Sequence, residues 1–289
     1  MTMRTTRAAA LLLHAAAAIT TQTTTTTTTT LRPLPASVVD ANGLVRYFAF
    51  GSNLAKSKMG SRGKNSSALA YERRWPAVAH DQRLAFNMRG FPPLEPAMAG
   101  IEPSPGQECP GCVYEMSRDA YEALWRSEGG AMKKTPYQEV VVSVRDASGR
   151  DVDAITCQVS AWAALRRDGV PSARYLGIIE EGARELGLVE YAEALSKRPR
   201  ANPSRFLRAV AGAHGVVSLT LYRRNLSHLL APLRSACFVL TYGGRRPWLR
   251  ALSEALTAAV LLPTAAVGSV IRLYRSARGL PPIVFGPPE

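Results

Sequence analysis

The stretch Val45-Arg46-Tyr47-Phe48-Ala49-Phe50-Gly51-Ser52-Asn53-Leu54 decides how the rest of the chain is read. Val45 to Phe50 is apolar and aromatic apart from Arg46, and Gly-Ser-Asn stops it, the pattern of a buried strand entering a turn. Gly accepts positive φ and Asn tolerates the left-handed region, so successive amide N–H groups can turn toward one point. Such a concavity holds a carboxylate or an oxyanion. A helix opening over Leu54 to Met59 would direct its free amides the same way. Strand–Gly–Ser–Asn turns are common, so the motif alone assigns no function.

Downstream, strands are expected over Leu84 to Met88 and Gly111 to Met116. Two stretches alternate well: Tyr137 to Arg145 puts Val140, Val142 and Val144 on one face, and Val152 to Val159 does so with Ile155, Cys157 and Val159. Asp146 to Asp151, with Gly149, joins them as a hairpin. Ser117 caps a helix over Arg118 to Ser127, where Ala120/Leu124 and Tyr121/Trp125 are i,i+4 pairs and Gly129-Gly130 is the stop. A second helix runs from Ala173 to Leu186, with Tyr175, Ile179, Ala183 and Leu186 on one stripe and Gly187 as its end. Glu190 to Lys197 forms a third. Strands come first and helices are interspersed irregularly, so the expected class is α+β.

The flanks have a different texture. Residues 1–44 are expected to be a targeting segment and a Thr-rich linker: Arg4 and Arg7 precede the apolar run Ala8 to Ile19, too short to span a bilayer, and Thr20 to Thr30 cannot bury a core. Secretory and organellar (plastid or mitochondrial) addresses share this pattern. Asn65-Ser66-Ser67 and Asn225-Leu226-Ser227 are glycosylation acceptors only under the secretory reading.

The 289 residues are 46% hydrophobic with a formal charge of +14, which suits a globular domain with extensions. Residues 197–289 hold 14 Lys/Arg against Glu254 and Glu289, a net of +12, so the remainder is nearly neutral. A chain-wide nucleic-acid function is thereby excluded, and the tail has few aromatics and no nucleic-acid module. Ala255 to Ile271 is an uncharged run interrupted by Pro263 and bracketed by arginines. A surface-bound or packed helix fits it better than a span. Residues 201–289 therefore read as a basic, mainly helical extension and a candidate for an anionic membrane surface.

Four cysteines in so long a chain do not make a disulfide scaffold. Cys109-Pro-Gly-Cys112 has C-x-x-C spacing but no second ligand pair, so two incidental cysteines at a strand entry are expected and no metal site. His14, His80, His214 and His228 show no ligand spacing. No P-loop, Rossmann glycine pattern, nucleophile elbow or zinc-protease helix is present.

YFAFGSNL resembles the opening motif of the γ-glutamylcyclotransferase family, whose usual form is YFAYGSNL. SPGQECPGCVYEM, LWRSEGG, KTPYQEVVVSV and PSARYLGII follow in family order, so the resemblance covers about Val45 to Lys197, roughly half the chain. It implies a γ-glutamylcyclotransferase-like fold, a small mixed β-barrel or sheet flanked by helices, over residues 45–200. It further implies that the loop Tyr47, Phe48, Ala49, Phe50, Gly51, Ser52, Asn53, Leu54 holds a γ-glutamyl head group. By the same resemblance Glu128 is the general acid/base, Tyr175 lies at the substrate site and Tyr137 is a frequent strand tyrosine. Phe50 departs from the pattern and removes a hydroxyl. The family default is cytoplasmic.

The implied reaction is intramolecular. The substrate's α-amine attacks its own γ-carbonyl, closes 5-oxoproline and expels an amine or amino acid. Nucleophile and electrophile are already tethered, so no cofactor is expected. A base must free the ammonium, donors must meet the carbonyl oxygen and an acid must protonate the leaving nitrogen. One carboxyl group can make both proton transfers in turn, and Leu124, Trp125 and Met132 are expected to keep water from Glu128. Two alternatives stay open: a cyclotransferase for glutathione or another γ-glutamyl conjugate, and a non-catalytic member acting at a membrane surface through its basic tail. The oligomeric state is not legible.

Overall fold

The computed structural model describes the chain from Arg32 to Ile283, apart from 61–68, 92–93, 224–225, 231, 234–235, 238–246 and 282. The expected targeting run, most of the Thr-rich linker, the Asn65 sequon and Asn225 lie outside the described residues. Two units are distinguished, Met1–Leu34 and Pro35–Glu289, and every element below belongs to the second.

Strand β1 (Val45–Ala49) buries Val45, Tyr47, Phe48 and Ala49, so both its faces are covered. It lies in a closed barrel of order β1-β3-β2-β4-β5, built with β2 (Arg73–Phe91), β3 (Glu95–Met116), β4 (Tyr137–Asp146) and β5 (Asp151–Val159). The barrel closes where Tyr47 pairs with Ile155 in parallel, and the other neighbours are antiparallel. Parallel closure brings the C-terminal ends of β1 and β5 to one rim. The mixed α+β class is therefore as expected.

Two strands are far longer than their apolar cores predict. Leu84 to Met88 and Gly111 to Met116 are parts of a hairpin of 19 and 22 residues, and Ser104 to Met116, which resembles a turn and strand, is strand throughout. Pro103 and Pro110 are tolerated because this part of β3 pairs only with β2, leaving its other edge without a ladder to break. The register slips by three between Gln82↔Pro103 and His80↔Glu108. There Asp81 takes φ 53° and its carboxylate accepts the Gly106 amide at 2.7 Å, closing the bulge. The residues before Val45 also differ from the expected linker. Val38 is fully buried and Val39 bridges to Val45.

The helices follow their signals closely. A five-residue helix α1 (Lys56–Gly60) follows the Gly-Ser-Asn turn. Helix α2 (Arg118–Ser127) is capped by Ser117, whose Oγ accepts the Ala120 amide, and Gly129 ends it at φ 91°. Helix α3 (Ala173–Glu185) is capped by Ser172 and followed by α4 (Val189–Ser196). Gly182 lets α3 lie directly on the chain after β1: a Cβ there would sit 2.4 Å from the Ala55 amide nitrogen and 2.5 Å from the Leu54 carbonyl carbon. The C-terminal extension holds helices α5 (Arg205–Arg223) and α6 (Pro247–Ala277), and α6 continues through Pro263.

Cys109 and Cys112 are buried free thiols inside the barrel wall, and no metal-holding cluster occurs among the described residues. Burial pushes both thiols up to about 12.

Two outcomes follow from this packing. Because the unfolded chain sheds these thiol protons near pH 9 and the folded chain holds them to about 12, both contribute full stability below pH 9 and lose it as the pH rises toward 12. Urea midpoints should fall across that window, and both thiols should resist a thiol reagent at pH 8 until the protein unfolds. Gly182→Ala should cost about 1–3 kcal/mol in urea unfolding, because its methyl meets backbone rather than a movable side chain.

Candidate active site

Strand β1 brings the buried Tyr47 under α2, against Tyr121, and ends at a 3₁₀ turn, Ser52–Leu54. The turn's own bonds use the amides of Leu54, to the Gly51 carbonyl at 2.9 Å, and Ala55, to the Ser52 carbonyl at 3.2 Å. The amides preceding them are not consumed by the turn, as at any helix start. Gly51 takes φ −109°, so its place is tight in space and not strained in backbone: a Cβ would stand 3.1 Å from the Ala99 methyl, a close contact, and 3.5 Å from the Tyr175 hydroxyl.

Glu128 arrives from a distant part of the chain, as the residue closing α2, where its amide bonds back to Leu124 and Trp125. Gly129 and Gly130 place it. Gly130 packs on the Trp125 indole so closely that a Cβ would fall 2.1 Å from Nε1. The Asn53 Nδ2 group donates to Glu128 Oε1 at 2.9 Å and to the Tyr47 hydroxyl at 2.9 Å. A single buried amide therefore joins turn, strand and carboxylate across 75 residues of sequence.

The turn itself is clamped from behind. The Tyr114 hydroxyl of β3 donates to the Asn53 carbonyl at 2.9 Å. Arg74 of β2 donates from Nη1 to the Leu54 carbonyl at 3.0 Å and to the Tyr114 hydroxyl at 3.1 Å. Its Nη2 reaches Glu185 of α3 at 3.1 Å, and the same carboxylate oxygen accepts the Lys56 amide at 3.0 Å. The Arg74 side chain is only 7% exposed, so these partners are what make its burial tolerable.

A small pocket, open to solvent, is lined by Tyr47, Phe50, Gly51, Ser52, Asn53, Ala99, Glu128, Tyr137, Cys157 and Tyr175. Seven of the loop and tyrosine candidates thus meet Glu128 around one space. Phe48, Ala49 and Leu54 do not line it. All three are buried behind it, with the Phe48 carbonyl taking the Thr156 hydroxyl at 2.7 Å. Tyr175 is held by the α3 cap, and its hydroxyl accepts the Ala99 amide at 3.2 Å. Tyr137 is half-buried at the start of β4. Leu124 and Trp125 are buried as expected, whereas Met132 is 54% exposed and does not exclude water.

Two lining residues escaped the sequence reading. Cys157 lies on the alternating face of β5 but carries no recognisable chemical signal, and Ala99 has none, since its contribution is a backbone amide. The clamp of Tyr114, Arg74 and Glu185 also went unseen, because three strand and helix positions far apart in sequence make it.

Chemically, the lining presents one carboxylate, three tyrosine hydroxyls and the amides that open a turn, with no lysine or arginine. Such a set can bind a small zwitterion and move a proton at Glu128. The AIG2-like family profile matches residues 108–195. A γ-glutamyl cyclotransferase of Aspergillus fumigatus is 29% identical over 222 residues, covering 69% of this chain and 78% of its own. The γ-glutamylcyclotransferases of Bos taurus and Homo sapiens are 31% and 32% identical over 154 and 153 residues, each covering 52% of this chain and 76% of its own. A solved γ-glutamyl cyclotransferase structure aligns over 55% of this chain and 91% of its own at 28% identity, with a TM-score of 0.47. Identity of this level over three-quarters of the mammalian proteins' length establishes that this protein belongs to the γ-glutamylcyclotransferase family.

Proposed function

We propose that this protein closes a γ-glutamyl amino acid or amine to 5-oxoproline and releases the amine, with Glu128 moving the protons. The observation that carries this reading is the Asn53 side chain, which aims Glu128 Oε1 at the turn from 2.9 Å. In this reading the turn amides before Leu54 receive the carboxylate of the γ-glutamyl head group, and the α-ammonium lies toward Glu128. Glu128 takes one ammonium proton. The freed nitrogen attacks the γ-carbonyl carbon, and the C–N bond to the leaving group breaks as Glu128 returns that proton to the leaving nitrogen. The second proton that the attacking nitrogen sheds on becoming the lactam N–H also passes to the departing amine, so the products are 5-oxoproline and an ammonium, and atoms and charge balance without a co-reactant. Tyr47, Tyr137 and Tyr175 are the hydroxyls available around this path, and Phe50 supplies only an apolar wall.

Orientation is the main contribution asked of the protein, because the ring-closing partners already belong to one molecule. The clamp behind the turn serves that need. Arg74, Tyr114 and Glu185 touch no substrate in this scheme and act as positioning residues.

Glu128→Gln preserves the size of the side chain and an oxygen for Asn53, but cannot carry a proton. Turnover measured as 5-oxoproline release should fall about 10²–10⁴-fold with unchanged circular dichroism and melting temperature. Near-normal activity in that variant would remove Glu128 from the chemistry. Asn53→Ala should lower kcat about ten- to a hundredfold with a smaller change in KM, the equivalent of one bond to a charged group of about 1.5–3 kcal/mol. A panel of γ-glutamyl amino acids, γ-glutamyl amines and glutathione, assayed for 5-oxoproline, identifies the leaving group, and silence across the panel would refute the enzymatic reading.

A further inference from the structure

The C-terminal helices carry an apolar surface that nothing in the described structure covers. One sector of α6 is used up against α5. Leu261 and Ala265 join Val210, Ala211 and Ala213 in a core, Gly268 meets the Ala213 carbonyl at a distance no Cβ would permit, and Thr264 bonds His214 at 2.8 Å. The opposite sector bears Leu252, Leu256, Leu262, Val267, Val270 and Leu273, with Val270 65% and Leu273 70% exposed. At about 100° per residue these six fall within about 140° of the helix circumference, over about 32 Å of its length. The charged residues between Leu252 and Ala277 are Glu254, Arg272 and Arg275, and all three fall outside that sector. A helix apolar on both sides is stable only when both are covered, and a patch of this extent marks an interaction surface.

Charge selects what covers it. Residues 197–289 carry a net +12, so two copies meeting on this face would bring like charges together, whereas lipid phosphates complement them. At the end of this sector the Arg278 guanidinium lies 5.9 Å from the centroid of the exposed Tyr274 ring, so a cation stands beside the apolar face. The stretch Glu254–Ala277 is long and apolar enough to cross a bilayer, but its inner sector is already packed on α5 and carries Glu254, Arg272 and Arg275. That geometry favours lying on the membrane over crossing it.

We propose that α5 and α6 dock the protein on an anionic phospholipid surface, with the outer sector of α6 seated at the acyl boundary and Arg278, beside the exposed Tyr274 ring of that sector, at the lipid phosphates. The test is flotation of the full chain with phosphatidylcholine vesicles containing or lacking phosphatidylserine, compared with a Val270→Glu/Leu273→Glu variant whose circular dichroism is checked in parallel. Both proteins carry the same N-terminal apolar run, so the comparison isolates α6. The parent should float with the serine-containing vesicles, and both removal of that lipid and the double substitution should reduce flotation about tenfold. Failure to float with either vesicle, equal flotation on phosphatidylcholine alone, or equal flotation of the variant would overturn the proposal. So would a lipid-free dimer in sedimentation velocity that the double substitution dissociates, which would make a second copy the cover.

Discussion

The side-chain amide of Asn53 is the constraint on which the site depends. It has two protons to donate and spends them on Tyr47 and Glu128, one from the strand that opens the domain and one from the end of α2. A carboxylate at a helix end with three side-chain torsions is otherwise free to point into solvent, and ordering it costs rotamer entropy. The cost is met because Asn53 is itself immobilised. Its carbonyl is held by Tyr114, the next carbonyl by Arg74, and Arg74 by Glu185. Stiffness at the carboxylate is thus inherited from the bonds that β2, β3 and α3 make to the turn and to one another.

The barrel provides that stiffness because its wall pairs backbone groups on nearly every strand and leaves little room for adjustment. Gly111 lies against the Phe48 ring and the Ala49 carbonyl, and Gly182 against the Leu54–Ala55 backbone, so the turn is gripped on both sides by positions that accept no side chain. Glu115, buried on β3, meets Arg46 at 3.7 Å and Arg73 in a two-pronged contact, which offsets the desolvation of an ionised carboxylate.

The C-terminal helices obey a different logic. Their mutual contact is a seam of small residues that lets two backbones approach closely, while larger apolar side chains are turned outward. In the barrel and the helices on it the reverse holds, with the large side chains of Phe48, Phe86, Tyr114 and Tyr121 buried. The barrel domain and the basic extension therefore bury apolar surface by separate means, and the charge asymmetry along the chain follows the same division.

What could be read from the residues alone were features set by neighbours in sequence. Ser117 and Ser172 as helix caps, Gly129 and Gly187 as stops, the hairpin at Asp146 to Asp151 and the strand into Gly-Ser-Asn are local, since capping and turn chemistry act within a few residues. The loop motif and Glu128 were legible as a family pattern. The length of the β2–β3 hairpin was not, because prolines discourage a strand unless the sheet leaves that edge unpaired, and only barrel closure determines which edge is free. Nor were Ala99, Cys157, Arg74 or Glu185 legible as parts of the site. Each contributes an ordinary group whose meaning comes from what stands 3 Å away, and that distance is determined by packing between elements remote in the chain, not by the sequence around any one of them.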